Sequence, residues 1–184
     1  MSEFYTMKIA GCERNLKLFP VSDSLDIAAF ILFGDTEITV ASATELLKKV
    51  PEFDYILTPE AKSIPLAYEM SRQSGKPYVV ARKGTKVYMG RPIEVTVHSI
   101  TTQREQHLYL GEDEANLING KKVLIVDDVI STGESLASIR DLLVKAGGIE
   151  AASCAVLAEG DAADRTDIIF LEKLPLFDSE GNAL

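Results

Sequence analysis

The stretch Val123-Leu-Ile-Val-Asp-Asp-Val-Ile-Ser-Thr-Gly-Glu-Ser135 decides the fold of this chain. Its first four residues are all apolar, which is typical of a central parallel strand covered on both faces. Ser131-Thr-Gly133 then lead into an amphipathic helix, predicted over 134–145 and ended by Gly147-Gly148. A buried strand that turns directly into a helix is the repeating unit of an α/β protein.

The segments on either side continue this alternation of strands and helices. A helix is predicted over 63–74, and buried strands are predicted over 53–58, 78–81, 151–158 and 167–171. Alternating segments at 93–98 and 107–110 are predicted to pair as a hairpin. The order predicts an α/β fold with a mostly parallel, twisted sheet flanked by helices and connected by right-handed crossovers.

The N-terminal part does not follow the alternation. A strand is predicted over 26–33, turned at Gly34-Asp35, and a helix is predicted over 43–50. We interpret residues 1 to about 50, together with 172–184, as a small hood subdomain over a core formed by residues 51–171. Residues 1–184 are then a single domain, which suits a chain of 184 residues.

Composition narrows the class of protein. Hydrophobic residues make up 46% and charged residues 26%, as in soluble globular proteins, and no run of about 18 apolar residues predicts a membrane span. The net charge of −9 argues against a general nucleic-acid-binding surface. Cys12 and Cys154 predict neither a disulfide framework nor a metal cluster, and the N-terminus lacks the apolar core of a signal peptide. We therefore expect a cytoplasmic protein.

The acidic pair Asp127-Asp128 and the turn Ser131-Thr-Gly133 point to one kind of ligand. Backbone N–H groups and the positive end of a helix dipole at such a turn suit a phosphate, whereas carboxylates beside it repel one. A ligand with a phosphate at one end and a vicinal diol at the other satisfies both features. Two alternatives stay open: a metal-binding acid pair as in response regulators and phosphatases, and simple helix capping. A Walker loop is excluded, because Gly-x-x-x-x-Gly-Lys does not occur.

Residues 123–135 closely resemble the phosphoribosyl-pyrophosphate (PRPP) motif of type I phosphoribosyltransferases, particularly adenine phosphoribosyltransferases and archaeal hypoxanthine-guanine relatives. The resemblance extends over about residues 53–171 and is weak at the N-terminus. It implies that Asp127 and Asp128 bind the ribose hydroxyls at the catalytic centre. It further implies a ribose and 5-phosphate loop that comprises Val129, Ile130, Ser131, Thr132, Gly133, Glu134 and Ser135.

The resemblance also implies two sites for pyrophosphate. One is the turn Ala61-Lys62-Ser63, and the other is formed by the cations Arg82, Lys83 and Lys86, either within one protomer or across the interface of a homodimer. From the residues alone, Lys62 is an exposed lysine at a helix start, and 82–86 is a solvated loop. The implied cofactor is Mg²⁺, bound through PRPP and pyrophosphate rather than by direct protein ligands.

Recognition of the base is the least defined part of the prediction. The connection from His98 to Gln106 corresponds to a mobile loop in the family, in which Glu105 is the candidate for handling the purine proton. Base contacts are expected around Arg14 to Ser24 and from Glu159 to Asp164. Glu159 itself either touches the ligand or caps the chain's exit. His98 and His107 are interpreted as strand residues rather than metal ligands.

The resemblance as a whole implies a purine phosphoribosyltransferase of purine salvage, with PRPP and a purine base as its ligands and no nucleic-acid or membrane partner. Adenine is the favoured base, and hypoxanthine, guanine or xanthine is the alternative. Two other functions stay open. One is a PRPP-sensing regulator without catalysis, and the other is a diphosphate-sugar synthase or pyrimidine enzyme of the same fold.

Overall fold

The computed structural model describes residues 4–97 and 106–184. The N-terminal part contains three strands and a helix: β1 (Phe4–Ile9), β2 (Cys12–Ser22), β3 (Leu25–Ala28) and α1 (Thr36–Leu47). Next come β4 (Tyr55–Pro59), α2 (Ile64–Ser74), β5 (Tyr78–Ala81), β6 (Ile93–Val97), β7 (Gln106–Leu110) and α3 (Glu112–Ile118). The chain ends with β8 (Lys122–Ile130), α4 (Glu134–Lys145), β9 (Ile149–Glu159) and β10 (Ile169–Leu174). None of the described helices is long and apolar enough to cross a membrane.

The predicted α/β fold is confirmed. A central five-stranded sheet has the order β10-β9-β8-β4-β5, and all of its neighbouring strands are parallel. From β4 the chain moves outward to β5, whereas from β8 it moves outward in the opposite direction to β9 and β10. The sheet therefore has a topological switch point between β8 and β4, where ligands bind in open α/β sheets.

Side chains of the central strands alternate between two hydrophobic cores. On β8, Leu124 and Val126 pack with α1 and α2 on one face, whereas Val123 and Ile125 pack with α3 and α4 on the other. All four side chains are almost fully buried. This two-sided burial explains why the strand is apolar without interruption.

The predicted hairpin is also confirmed, since β6 and β7 pair antiparallel from Ile93↔Leu110 onward. It is joined to the edge of the central sheet by mutual backbone hydrogen bonds of 2.8 Å between Arg82 and Tyr109. Leu108 of β7 thereby comes to lie beside the switch point.

The prediction for the N-terminal part is wrong in two places. The predicted strand at 26–33 ends at Ala28, and the helix predicted over 43–50 spans Thr36–Leu47 instead. Asp35 is the N-cap of this helix and accepts a hydrogen bond from the Ile38 N–H at 3.2 Å, so it starts the helix rather than ending a hairpin. The antiparallel pair β1–β2 and the short helix α3 were not predicted.

The N-terminal strands lie close to the end of the chain. Asp26 and Phe177 exchange backbone hydrogen bonds of 2.8 and 3.0 Å, and the Phe177 ring packs against Tyr5. Phe177 is 1% exposed and belongs to the same core as α1 and α2. The boundary between hood and core near residue 50 stays a prediction.

Candidate functional site

A cleft opens at the switch point because β4 and β8 diverge. The two strands pair only from Tyr55↔Val123 to Leu57↔Ile125, after which β4 continues along β5 and β8 continues along β9. The cleft has a volume of about 390 Å³. It is lined by Pro59, Glu60, Ala61, Lys62, Ser63, Lys83, Leu108, Asp127, Asp128, Val129 and Ser135. Eight of these were predicted as site residues, whereas Pro59, Glu60 and Leu108 were not.

The acidic pair lies within β8 rather than directly after it. The strand prediction ended at Val126, but the pairing with β9 continues to Ile130↔Ala158 because Val129 and Ile130 are also apolar. The partner on the other side is lost after Ile125, so the pair borders the cleft. Ile130 itself is buried in the α3–α4 core, so its side chain faces away from a ligand.

The two carboxylates are in different environments. Asp128 is 3% exposed, and its Oδ2 has no hydrogen-bond partner in the described part of the chain. Asp127 Oδ1 accepts a hydrogen bond from the backbone N–H of Asp128 at 2.9 Å. Burial and the negative charge of Asp128 raise the pKa of Asp127 well above its usual range. A buried acceptor without a hydrogen bond, next to a carboxyl whose ionisation is disfavoured by burial, costs free energy unless a ligand supplies hydrogen-bond donors.

Lys62 reaches the acidic pair from the turn between β4 and α2. Its Nζ lies 3.0 Å from Asp128 Oδ2, although without hydrogen-bond geometry, and the lysine side chain is 53% exposed. Buried hydroxyls hold the turn in place. Thr58 Oγ1 lies 2.9 Å from the Val126 carbonyl oxygen and 2.8 Å from Ser63 Oγ. The position of the turn is therefore tied to the strand that carries the carboxylates.

The predicted cations after β5 take different positions. Glu60 accepts hydrogen bonds from the backbone N–H of Lys83 at 2.9 Å and from Arg82 Nε at 3.3 Å. These interactions hold the pKa of Glu60 below its usual range. Arg82 also donates to the Tyr88 hydroxyl at 3.1 Å, whereas the Lys83 side chain lines the cleft. Lys86 is exposed and does not line the cleft.

The turn from β8 into α4 places a helix N-terminus at the cleft. Gly133 has φ +85°, a conformation that favours glycine, and as the N-cap of α4 it has no side chain to offer the helix. The Glu134 N–H donates to Thr132 Oγ1 at 3.4 Å. The other N–H groups of the first helical turn have no partner within the helix and suit an anion. Ser135 lines the cleft, while Ser131, Thr132 and Glu134 are in the same turn.

The guanidinium of Arg165, a residue that the sequence did not indicate as part of the site, packs against Gly133. A Cβ atom built on Gly133 would lie 2.3 Å from Arg165 Nη1. Arg165 follows the short 3₁₀ turn Gly160–Asp164 and is more than thirty residues away along the chain. Only the three-dimensional fold brings it to the turn, so no local sequence signal could have identified it.

The remaining predicted site residues either lie away from the cleft or fall outside the part of the chain that the structure describes. Glu105 and His98 lie outside the described residues. Glu159 pairs with Leu174 at the end of β9 and does not line the cleft. The Arg14 guanidinium contacts Asp35 at 2.7 Å and Glu37 at 2.7 Å, which holds β2 on the start of α1. His107 Nδ1 lies 2.7 Å from Glu94 Oε1 on the paired strand.

Comparison with known proteins gives concordant results. The family model for the phosphoribosyl transferase domain matches residues 35–174. The chain is 37% identical to a hypoxanthine/guanine phosphoribosyltransferase of Methanotorris igneus, over 71% of the chain and 65% of that protein. It is 34% identical to the Methanococcus voltae protein of the same name, over 81% of the chain and 73% of that protein. The chain thus spans just under two-thirds of the first of these relatives.

The fold comparison extends the likeness to solved structures. Adenine phosphoribosyltransferase from Thermoanaerobacter pseudethanolicus superposes with a TM-score of 0.71, covering 86% of this chain and 95% of that one. The sequence identity in this alignment is 22%, so the likeness concerns the fold alone.

Proposed function

Because this chain belongs to the phosphoribosyl transferase domain family, we propose that it transfers the 5-phosphoribosyl group of PRPP to a purine base and releases pyrophosphate. One observation carries the proposal. A helix N-terminus, a buried carboxylate pair and two lysines, each suited to a different part of PRPP, meet in a single cleft of about 390 Å³.

The order of β8, β4 and β5 in the sheet supports one orientation of PRPP in the cleft. The turn after β8 offers N–H donors to the 5-phosphate, and Asp127 and Asp128 on β8 accept the ribose hydroxyls. Lys62 after β4 and Lys83 after β5 then bind the pyrophosphate on the far side of the cleft.

The reaction is a displacement at the anomeric carbon. A purine ring nitrogen forms the new bond while the bond to the pyrophosphate oxygen breaks, and that oxygen leaves with the electron pair. The lysines stabilise the charge that develops on the leaving group. Glu105 is proposed to accept the nitrogen's proton, and positioning of both substrates supplies much of the rate enhancement.

Magnesium is proposed to enter with PRPP. In residues 4–97 and 106–184 no group of three or more His, Cys, Asp or Glu side chains is arranged to hold a metal ion. An ion coordinated mainly by the diphosphate would need no such group, and the Asp127 and Asp128 carboxylates would hold its waters. The ion would neutralise charge on the leaving group.

Hypoxanthine and guanine are the first bases to test, because the relatives that share more than 30% identity carry those names. Adenine, which the resemblance of the sequence favours, is the second candidate. The choice between these bases depends on contacts to the base itself. Neither the acidic pair nor the phosphate turn can provide them, since both face the sugar and its phosphate.

The test is product formation from PRPP and Mg²⁺ with adenine, hypoxanthine, guanine and xanthine, and with uracil as the non-purine control. We expect a nucleoside monophosphate and pyrophosphate in equal amounts from at least one purine. The variant with both Asp127→Asn and Asp128→Asn should be folded and inactive. If PRPP binds but no base reacts, the protein is a PRPP-binding regulator and the enzymatic proposal is wrong.

A further inference from the structure

The phosphate turn has a charge problem that its own sequence does not solve. Residues 123–135 contain three acids, Asp127, Asp128 and Glu134, and neither a lysine nor an arginine. Backbone N–H groups and a helix dipole attract a phosphate, but a dipole end is equivalent to only about half a charge. Next to three carboxylates, a phosphate dianion requires a further cation. The cleft-lining lysines belong to the turns after β4 and β5, on the other side of the acidic pair.

Arg165 is placed to supply that charge. Its guanidinium packs so closely on Gly133 that a Cβ atom there would lie 2.3 Å from Nη1. Two other nitrogens of the group are already used, since Nε and Nη2 donate to Asp167 Oδ1 and Oδ2 at 2.9 and 2.7 Å. Nη1 faces the phosphate turn and makes no hydrogen bond to the described residues. The side chain is 30% exposed, so solvent and ligands can reach it.

A second arginine fixes this orientation. Arg140 of α4 donates from Nη1 to Asp167 Oδ2 at 2.8 Å and from Nη2 to Glu150 Oε1 at 2.8 Å. Asp167 is thus held between two guanidinium groups, and their hydrogen bonds keep its pKa below the usual range for a carboxyl. Because Arg140 and Gly133 belong to the same helix region, the network positions Arg165 relative to the phosphate turn. A cation that is already held in place loses little entropy when it binds a ligand.

We propose that Arg165 is a 5-phosphate-binding residue, with its Nη1 donating to the phosphate held at the start of α4 and Asp167 acting as the positioning residue. This inference rests on the proposed function, because it requires that the 5-phosphate occupies the turn at 131–135. It also gives the otherwise solvent-facing segment after β9 a part in substrate binding. Gly133 then has two roles, since it permits the turn and leaves room for the guanidinium.

The test compares two ligands that occupy opposite ends of the cleft. Isothermal titration with ribose 5-phosphate and, separately, with magnesium pyrophosphate is carried out on the wild type and on Arg165→Gln. Loss of one charge-assisted hydrogen bond should weaken ribose 5-phosphate binding about 10- to 100-fold. Pyrophosphate affinity should stay within about twofold, because Lys62 and Lys83 are unchanged. Arg91→Gln, at an exposed arginine outside the cleft lining, controls for the change in net charge.

Two further variants separate binding from structure. Arg165→Lys keeps the charge but cannot make both hydrogen bonds to Asp167, and Asp167→Asn keeps the arginine but holds it less firmly. Both variants should therefore show intermediate losses of affinity for ribose 5-phosphate. They also replace Arg165→Gln should that variant not fold. Equal affinities of wild type and Arg165→Gln, or equal losses for both ligands, would overturn the assignment and leave the proposed function standing. A wild-type chain that binds neither ribose 5-phosphate nor PRPP would overturn both.

Discussion

Replacement of Lys62 by methionine tests how the cleft tells PRPP from its products. Methionine keeps most of the length of the side chain and removes the charge. In the cleft as described, the Lys62 ammonium lies 3.0 Å from Asp128 Oδ2, where it competes with the ribose hydroxyls for the same carboxylate. If PRPP binds as proposed, the diol takes over Asp128 and the ammonium turns to the pyrophosphate. Ribose 5-phosphate and the nucleotide product would also displace the lysine but would offer it no new partner.

The two ligands should therefore respond in opposite directions. Loss of a charge-assisted contact with pyrophosphate costs about 1.5–3 kcal/mol, which weakens PRPP about 10- to 150-fold. Loss of the competing contact with Asp128 is worth much less, because the lysine is 53% exposed and solvent screens the pair. A gain of at most about 1 kcal/mol, or about fivefold, is expected for ribose 5-phosphate. The preference for PRPP over ribose 5-phosphate should fall by at least about tenfold.

Calorimetric titration of both ligands in the presence of Mg²⁺ measures this ratio directly, and Lys62→Arg is the control that keeps the charge. Thermal unfolding checks that the variant retains its fold. Parallel losses for PRPP and ribose 5-phosphate would refute the reasoning, because they would mean that Lys62 acts on the part that the two ligands share. An unchanged PRPP affinity would refute it as well.

Three further predictions concern the residues that shape the cleft. Because the folded-state pKa of Asp127 is raised, its carboxyl costs stability at high pH, and this cost declines as the pH falls from the raised pKa to the ordinary value of about 4. Asp127→Asn should therefore have a higher unfolding free energy than the wild type in urea titrations at about pH 8 and lose this advantage near pH 4, whereas a constant gain would contradict the ionisation argument. Gly133→Ala and Gly75→Ala, at φ +85° and +70°, should each lose about 1 kcal/mol of stability. Only Gly133→Ala should also lose ribose 5-phosphate binding, because its added methyl group would meet the Arg165 guanidinium, whereas Gly75 has open space around it. Thr58→Val removes the buried hydroxyl that contacts the Val126 carbonyl. It should lower the unfolding free energy by about 1–3 kcal/mol and weaken pyrophosphate binding. Wild-type values for both quantities would show that the hydroxyl does not hold the turn.

The part of the fold that sequence predicted best is the part whose signals are local. The helix after the phosphate turn was predicted over 134–145 and spans Glu134–Lys145, because a glycine turn marks its start and Gly147-Gly148 mark its end. The apolar run of β8 was recognisable for the same reason, since burial on both faces leaves no polar position between Val123 and the carboxylates. These segments supply four of the eleven residues that line the cleft, Asp127, Asp128, Val129 and Ser135.

Errors arose where tertiary contacts override local preference. The start of α1, Thr36-Glu-Ile-Thr-Val40, is rich in β-branched residues, which favour strands, yet it is helical because Ile38 is buried and Asp35 caps the first turn. The hairpin of β1 and β2 had a usable signal, since the Ala10-Gly11 turn separates two alternating segments. The three acids that open α3 also match the dipole at a helix start and could have identified it.

Three cations at or beside the cleft share an arrangement that would reconcile an acidic protein with a highly anionic ligand. Each is paired with a carboxylate, in the pairs Lys62–Asp128, Arg82–Glu60 and Arg165–Asp167, whereas Lys83 contributes an exposed side chain to the cleft lining. Such pairing limits the attraction of stray anions, since a counter-ion is already present, and it aims each cation before a ligand arrives. A ligand gains from the arrangement only if it offers donors to Asp128 and phosphates to the neighbouring cations at once. On the proposed function, selectivity for PRPP follows from how these charges are paired rather than from any one of the cations.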